Sequence, residues 1–180
     1  SQLFAGANKK ISANEKQIAE NKAAIETAEK KRSELGVEYN TEKAKVFDET
    51  PYLFHEEEWQ FDENSTICKS CGQVLPADKI EQIKADFEAR KAKAKEDAEN
   101  SVVANRARFN QRKNDLLEDI KAKGFQQKRI IDDLTAKNEQ LQEEVETLKK
   151  QEQDATAKQN KLAKQLEEIP KEADYSQNPE

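Results

Sequence analysis

The chain has 180 residues, 38% of them charged and 34% hydrophobic, with a formal net charge of -6. A globular domain usually carries about 45–50% apolar residues, and aromatics here make up only 6%. A compact core is therefore excluded, and periodicity has to decide between disorder and a coiled coil.

Charges of both signs are interspersed, so no basic tail or stripe marks a nucleic-acid surface. No run of about 18 apolar residues marks a transmembrane helix, and the first residues lack the basic and apolar regions of a signal peptide. Two cysteines spaced C-x-x-C do not make a secreted disulfide framework, so the expected compartment is cytoplasmic. A first residue other than Met predicts an internal segment of a longer protein.

Residues 1–47 read as a first coiled-coil helix. A stripe steps alternately by three and four through Phe4, Ala7, Ile11, Asn14, Ile18, Asn21, Ile25, Ala28, Arg32, Leu35, Tyr39, Glu42 and Val46. Ile11, Ile18 and Ile25 recur every seven residues, the mark of a seam. Asn14 and Asn21 alternate with them; asparagine on a seam costs stability and fixes register.

Residues 48–76 interrupt the helical pattern. Pro51 disfavours helix in the residue before it, and an aromatic cluster follows in Tyr52, Phe54, Trp59 and Phe61. Residues 58–62 alternate in period two and predict a short strand, and residues 62–65 read as a turn. These aromatics, with Val74 and Leu75, are expected to pack as a mini-core at the tip and to serve dimer contact there. Glu56, Glu57 and Glu58 read as a solvated face.

Pro76 and Asp78 suit a helix start, so residues 77–123 are predicted to return as a second coiled-coil helix along Ile80, Ile83, Phe87, Arg90, Ala94, Ala98, Val102, Phe109, Leu116 and Ile120. Folding this helix back about the insert pairs Val46 with Ile83, Leu35 with Ala94, Ile25 with Asn105 and Ile11 with Ile120. Gly124 then stands where the helix could continue, kink or fold back.

Residues 124–169 carry the strictest repeat: Ile131, Leu134, Asn138, Leu141, Val145, Leu148, Glu152, Ala155, Gln159, Leu162, Leu166 and Ile169. With the first helix used up by the fold-back, this 131–169 seam is expected to pair upstream of Ser1 in a longer parent, or with another chain. Residues 170–180 read as a disordered tail. The fold class expected is all-α: an antiparallel coiled-coil hairpin with a small non-helical, short-β tip.

The chemistry lies in Cys68-Lys69-Ser70-Cys71-Gly72. A C-x-x-C turn presents two thiolates to one tetrahedral metal, and the glycine permits the tight turn that frees backbone N–H groups for sulfur. Structural zinc takes four ligands, and this chain offers two. An identical tip would complete the site across two molecules. His55 is a third candidate ligand, although a lone histidine in an aromatic insert is more often a packing or surface residue. A reduced pair without metal stays open. A thioredoxin-like role needs a βαβ context that is absent.

A heptad helix, then C-x-x-C-G with Leu75-Pro76 behind it, then a returning heptad helix, resembles the zinc hook of SbcC-type and SMC-like DNA-repair ATPases. Phage and prophage ATP-binding proteins with a central hook look nearest. The commoner hook has Pro directly after its first cysteine, where this chain has Lys69, and the insert is longer than a minimal hook. The resemblance implies that Cys68 and Cys71 hold a zinc ion shared between two chains. It implies a homodimer joined at the hook, and a parent ATPase that binds ATP and magnesium in domains absent here and acts on DNA with a nuclease partner. The segment has no G-x-x-x-x-G-K-[ST] loop and no nucleophile–base pair, so by itself it is not expected to be an enzyme. Two further readings remain: a structural coiled-coil tether without ATPase link, and a zinc-stabilised module that recognises a protein through its acidic aromatic tip.

Overall fold

The computed structural model describes residues 2–170. It is all-α: two long helices, α1 (Gln2–Ala44) and α2 (Ala77–Glu168), pack together, with single 3-10 turns at Thr50–Tyr52, Glu56–Glu58 and Glu63–Thr66 between them. Among the described residues there is no strand, only one antiparallel bridge, Ile67 to Val74. No helix is long and apolar enough to cross a membrane. The tail expected at 170–180 lies, from residue 171 on, outside the described residues.

The chain divides into two units. The first joins Ser1–Gly36 to Ala122–Glu180. Here α1 and α2 run in opposite directions. Ile11, Ile18 and Val145 form the buried cluster, with Leu141 and Leu148 packed against it. Val145 is only 2% exposed. The predicted α1 stripe is the shielded face: every member from Phe4 to Glu42 is buried or partly buried except Arg32.

Polar groups on that face are paired. Asn21, 5% exposed, donates its amide to Asn138 Oδ1 at 2.8 Å and accepts from Gln17 Nε2 at 2.9 Å. Asn138 Nδ2 in turn donates to the Ile18 carbonyl at 3.3 Å. Asn14 donates to Glu144 Oε2 at 3.0 Å, and Lys10 Nζ lies 2.6 Å from Glu144 Oε1. Lys10 and then Asn14 hold the Glu144 carboxyl below its usual range. That ion pair and Lys149–Glu15 (2.8 Å) are solvent-washed, and such exposed pairs stabilise little. Seam burial and the asparagine pair dominate.

This pairing corrects the fold-back register expected from the sequence. Ile11 meets Val145, not Ile120, and Ile25 lines a groove with Thr135 and Asn138, not Asn105. The first half of the 131–169 seam is therefore covered by α1. From residue 156 onward α2 is exposed, with Leu162 at 58%, Leu166 at 69% and Ile169 at 60%. Gly124 does not reverse the chain; α2 continues through it.

The second unit, Val37–Lys121, explains the shift in register. The insert is not a compact loop. It lies along α2, with Phe47 on Phe109 (ring centroids 5.7 Å apart) and Phe61 edge-on to Phe87 (5.5 Å). Between Phe109 and Phe87, α2 rises about 33 Å at ~1.5 Å per residue. Residues 47–61 cover that rise at about 2.4 Å per residue, between helix and strand values. Loop closure is thus spread over some thirty residues of α2, which α1 cannot use.

Helix α1 stops at Ala44 rather than near residue 47, leaving Val46 exposed. Lys113 on α2 reaches its end: the ammonium donates to the Lys43 and Lys45 carbonyls, both at 2.6 Å. A cation on terminal carbonyls satisfies groups the helix leaves open and complements its dipole. On α2, Lys91 and Leu117 are the partly buried positions, where the stripe read Arg90 and Leu116.

A prediction follows for the asparagine pair. Asn21→Ala should lower stability by about 1 kcal/mol, because the half-buried Asn138 oxygen loses its donor. Replacing both Asn21 and Asn138 by Leu should raise the melting temperature but give mixed oligomers, since apolar seams tolerate slipped registers. Thermal circular dichroism and sedimentation velocity check this. A single species in the double-leucine variant would show that the pair does not set register.

Candidate metal centre

The site forms where the insert turns back into α2. Asp62 starts the approach as a cap, its carboxylate accepting from the Asn64 N–H at 3.0 Å. The 3-10 turn Glu63–Thr66 follows, closed by Ser65 Oγ on the Asp62 carbonyl (2.6 Å) and Thr66 Oγ1 on the Glu63 carbonyl (2.7 Å). Short polar side chains thus satisfy the backbone locally, without a sheet.

Three backbone hydrogen bonds then tie the two sides of the turn together. The Leu75 N–H donates to the Thr66 carbonyl at 2.9 Å, the Cys68 N–H to the Gln73 carbonyl at 2.8 Å, and the Gly72 N–H to the Cys68 carbonyl at 2.8 Å. Gly72 has φ +72°, the left-handed region that costs a side-chain-bearing residue about 1–2 kcal/mol. No atom lies within 4 Å of a Cβ placed there, so backbone conformation alone demands glycine.

This fold of the backbone organises the sulfurs. Cys68 is half-buried, Cys71 is exposed, and both are free thiols. The Cys71 N–H, then the Ser70 N–H, then the Cys71 thiol donate toward the Cys68 sulfur and hold its pKa below the ordinary thiol value. Hydrogen bonds to the charged form favour it, and the thiolate is the form that ligates metal.

Half of a tetrahedral set is what one chain provides. Among the described residues, no group of three or more histidine, cysteine, aspartate or glutamate side chains comes together. His55 is not brought to the cysteines: its Nδ1 lies 3.2 Å from Glu57 Oε1, at the start of the exposed Glu56–Glu58 turn. Structural zinc takes four N or S ligands, so the residues present fit a shared site and do not fit a self-contained one.

The aromatic residues do not form one mini-core at the tip. They divide into two groups along α2, and none is fully buried. Tyr52 stacks on Phe47 (6.0 Å, 12°), beside Phe109. Phe54 stacks on Trp59 (6.3 Å), and Trp59 and Phe61 both rest on Phe87 (6.1 and 5.5 Å). The period-two alternation at 58–62 sends Trp59 and Phe61 to the same side, but their partner is a helix rather than a strand. Lys84 lies over the Phe61 ring and Arg106 over the Phe47 ring, each at 5.7 Å. Nearest the cysteines, Leu75 is partly buried while Ile67 and Val74 are exposed, Val74 at 72%.

Sequence reasoning missed Phe87 and Phe109 as the anchors of the insert. Their signal was available: they are two of the three aromatics of an alanine- and charge-rich helix, the third, Phe125, being exposed. The Ser70 and Cys71 backbone donors carried no residue-type signal, and neither did the Lys113 cap. No protein family, curated protein or solved structure matches the chain.

Gly72→Ala should strain the turn and misdirect the amides aimed at Cys68. The expected result is about a tenfold loss of zinc affinity, equivalent to ~1.4 kcal/mol, with helix content unchanged. Competition with a chromogenic chelator reads the first and circular dichroism the second. Unchanged affinity would show that the left-handed turn does not organise the ligands.

Proposed function

We propose that this segment is a coiled-coil arm, an antiparallel hairpin with a hook-like tip, and that it tethers two molecules through one zinc ion held by Cys68 and Cys71 of each. The observation that carries the reading is the incomplete ligand set: two free thiols in one tight turn, with no third histidine, cysteine, aspartate or glutamate grouped with them among the described residues. A second copy of the same turn supplies what is missing, and two-fold symmetry needs no new surface. Zinc, when bound, supplies the cross-link. The chain's own residues present the two sulfurs in one tight, solvent-open turn.

Two further features support an arm. Among the described residues only five apolar side chains are buried, Val145 the most completely, as in a two-helix pairing. The three-and-four stripe also continues along α2 past the part that α1 covers. The link to a DNA-repair or recombination ATPase rests on the resemblance of the C-x-x-C-G segment. In that reading ATP, magnesium, DNA and a nuclease partner belong to the parent protein. A coiled-coil tether with the same zinc clasp and no ATPase link uses the same residues.

Metal analysis combined with light scattering tests the proposal. The zinc-loaded chain should carry about one ion per two chains, as a four-cysteine site requires, and a chelator should return the dimer to monomers. Cys68→Ser with Cys71→Ser should abolish zinc uptake and the chelator-sensitive dimer while keeping the helices. One zinc per chain in a chelator-insensitive monomer would overturn the proposal.

A further inference from the structure

We propose that Cys68 and Cys71 also close into a reversible disulfide within one chain, so that the turn offering two thiolates to zinc is a dithiol switch. The consequence for tethering rests on the shared-zinc reading above; the disulfide itself does not.

The geometry is that of a short bridge. The cysteines stand three residues apart inside a turn closed by the Gly72 N–H on the Cys68 carbonyl and the Cys68 N–H on the Gln73 carbonyl, both 2.8 Å. Ends of a reverse turn lie within about 7 Å at Cα, and a disulfide takes Cα atoms about 4.4–6.8 Å apart. No Cβ clash and no buried side chain holds the turn against a small adjustment at Gly72, and Cys71 is exposed to an oxidant.

Intrachain closure also wins on concentration. Thiols in one turn meet at an effective concentration in the millimolar range or above, far over that of a second chain at micromolar levels. The chain holds no other cysteine, so no competing partner exists within it.

The step balances with an external oxidant of the disulfide or diazene class. The S–H bonds of Cys68 and Cys71 break, the S–S bond forms, and two electrons and two protons pass to the oxidant. With diamide, both protons end on its nitrogens and the diazene becomes a hydrazine. A disulfide sulfur is no longer a thiolate, so an oxidised turn withdraws both of its ligands. A zinc ion shared with a second copy would keep only two.

The test uses the full chain, stripped of zinc and reduced, then treated with diamide at micromolar protein concentration. Intact mass should show a monomer lighter by two hydrogens, with neither cysteine alkylated by iodoacetamide. Zinc uptake should be lost and should return after dithiothreitol. Cys71→Ser should give only the slower disulfide-linked dimer through Cys68. Disulfide-linked dimers as the main wild-type product, or two cysteines still alkylated after excess diamide, would overturn the proposal. So would full zinc uptake by the oxidised chain. A reduced chain that ignores zinc yet closes its disulfide would fail the shared-zinc reading alone and leave the switch standing.

Discussion

The hydrogen bond from Asn21 to Asn138, 2.8 Å long and part-buried in an apolar seam, is the contact on which the register of α1 against α2 depends. A heptad seam of isoleucine, leucine and valine is nearly indifferent to slipping by seven residues, because each step replaces one apolar contact with another. An amide pair is not indifferent: slipping leaves both groups part-buried without partners, at about 1 kcal/mol apiece. Asn138 adds a bond to the Ile18 carbonyl, so the pair is locked to side chain and backbone together. Salt bridges at the seam's edge lie in water and cannot substitute for it.

Within the second unit, a different interaction places the reactive turn. The insert has no sheet and no buried core, so its position comes from aromatic rings laid on α2 and from one lysine. Phe87 receives Trp59 and Phe61, Phe109 receives Phe47, and Lys113 holds the carbonyls at the end of α1. Aromatic pairs of this kind contribute about 0.5–1.5 kcal/mol beyond area burial, enough to fix a short segment that buries little else. Past Phe61, the local caps at Asp62, Ser65 and Thr66 carry the chain to the cysteines.

Much of this was legible in the sequence. The stripe on α1 marked the shielded face because a period between three and four admits only one solution over forty residues. The break near Pro51 and the restart after Pro76 were legible for the same kind of local reason. The register was not. It depended on how much of α2 the insert occupies, and an extended segment with 3-10 turns covers more helix than a loop would. The sequence read the 58–62 alternation as a strand because period two marks a chain with two distinct faces, and it does not say whether a sheet or a helix lies beneath. At the metal centre, the two thiols and Gly72 could be read from residue type. The amides that organise Cys68 could not, since every residue but proline carries one.

The cysteine pair is best understood as an interface written in ligand chemistry. A turn with four thiols of its own would bind metal and need no neighbour; a turn with two and a scattered third would bind weakly. Two thiols left open to solvent, in the reading proposed above, make the second copy part of the site. Zinc K-edge X-ray absorption on the zinc-loaded chain tests that claim most directly. The account predicts four sulfur neighbours at about 2.3 Å although each chain holds two cysteines. A first shell of two sulfurs completed by nitrogen or oxygen would contradict it.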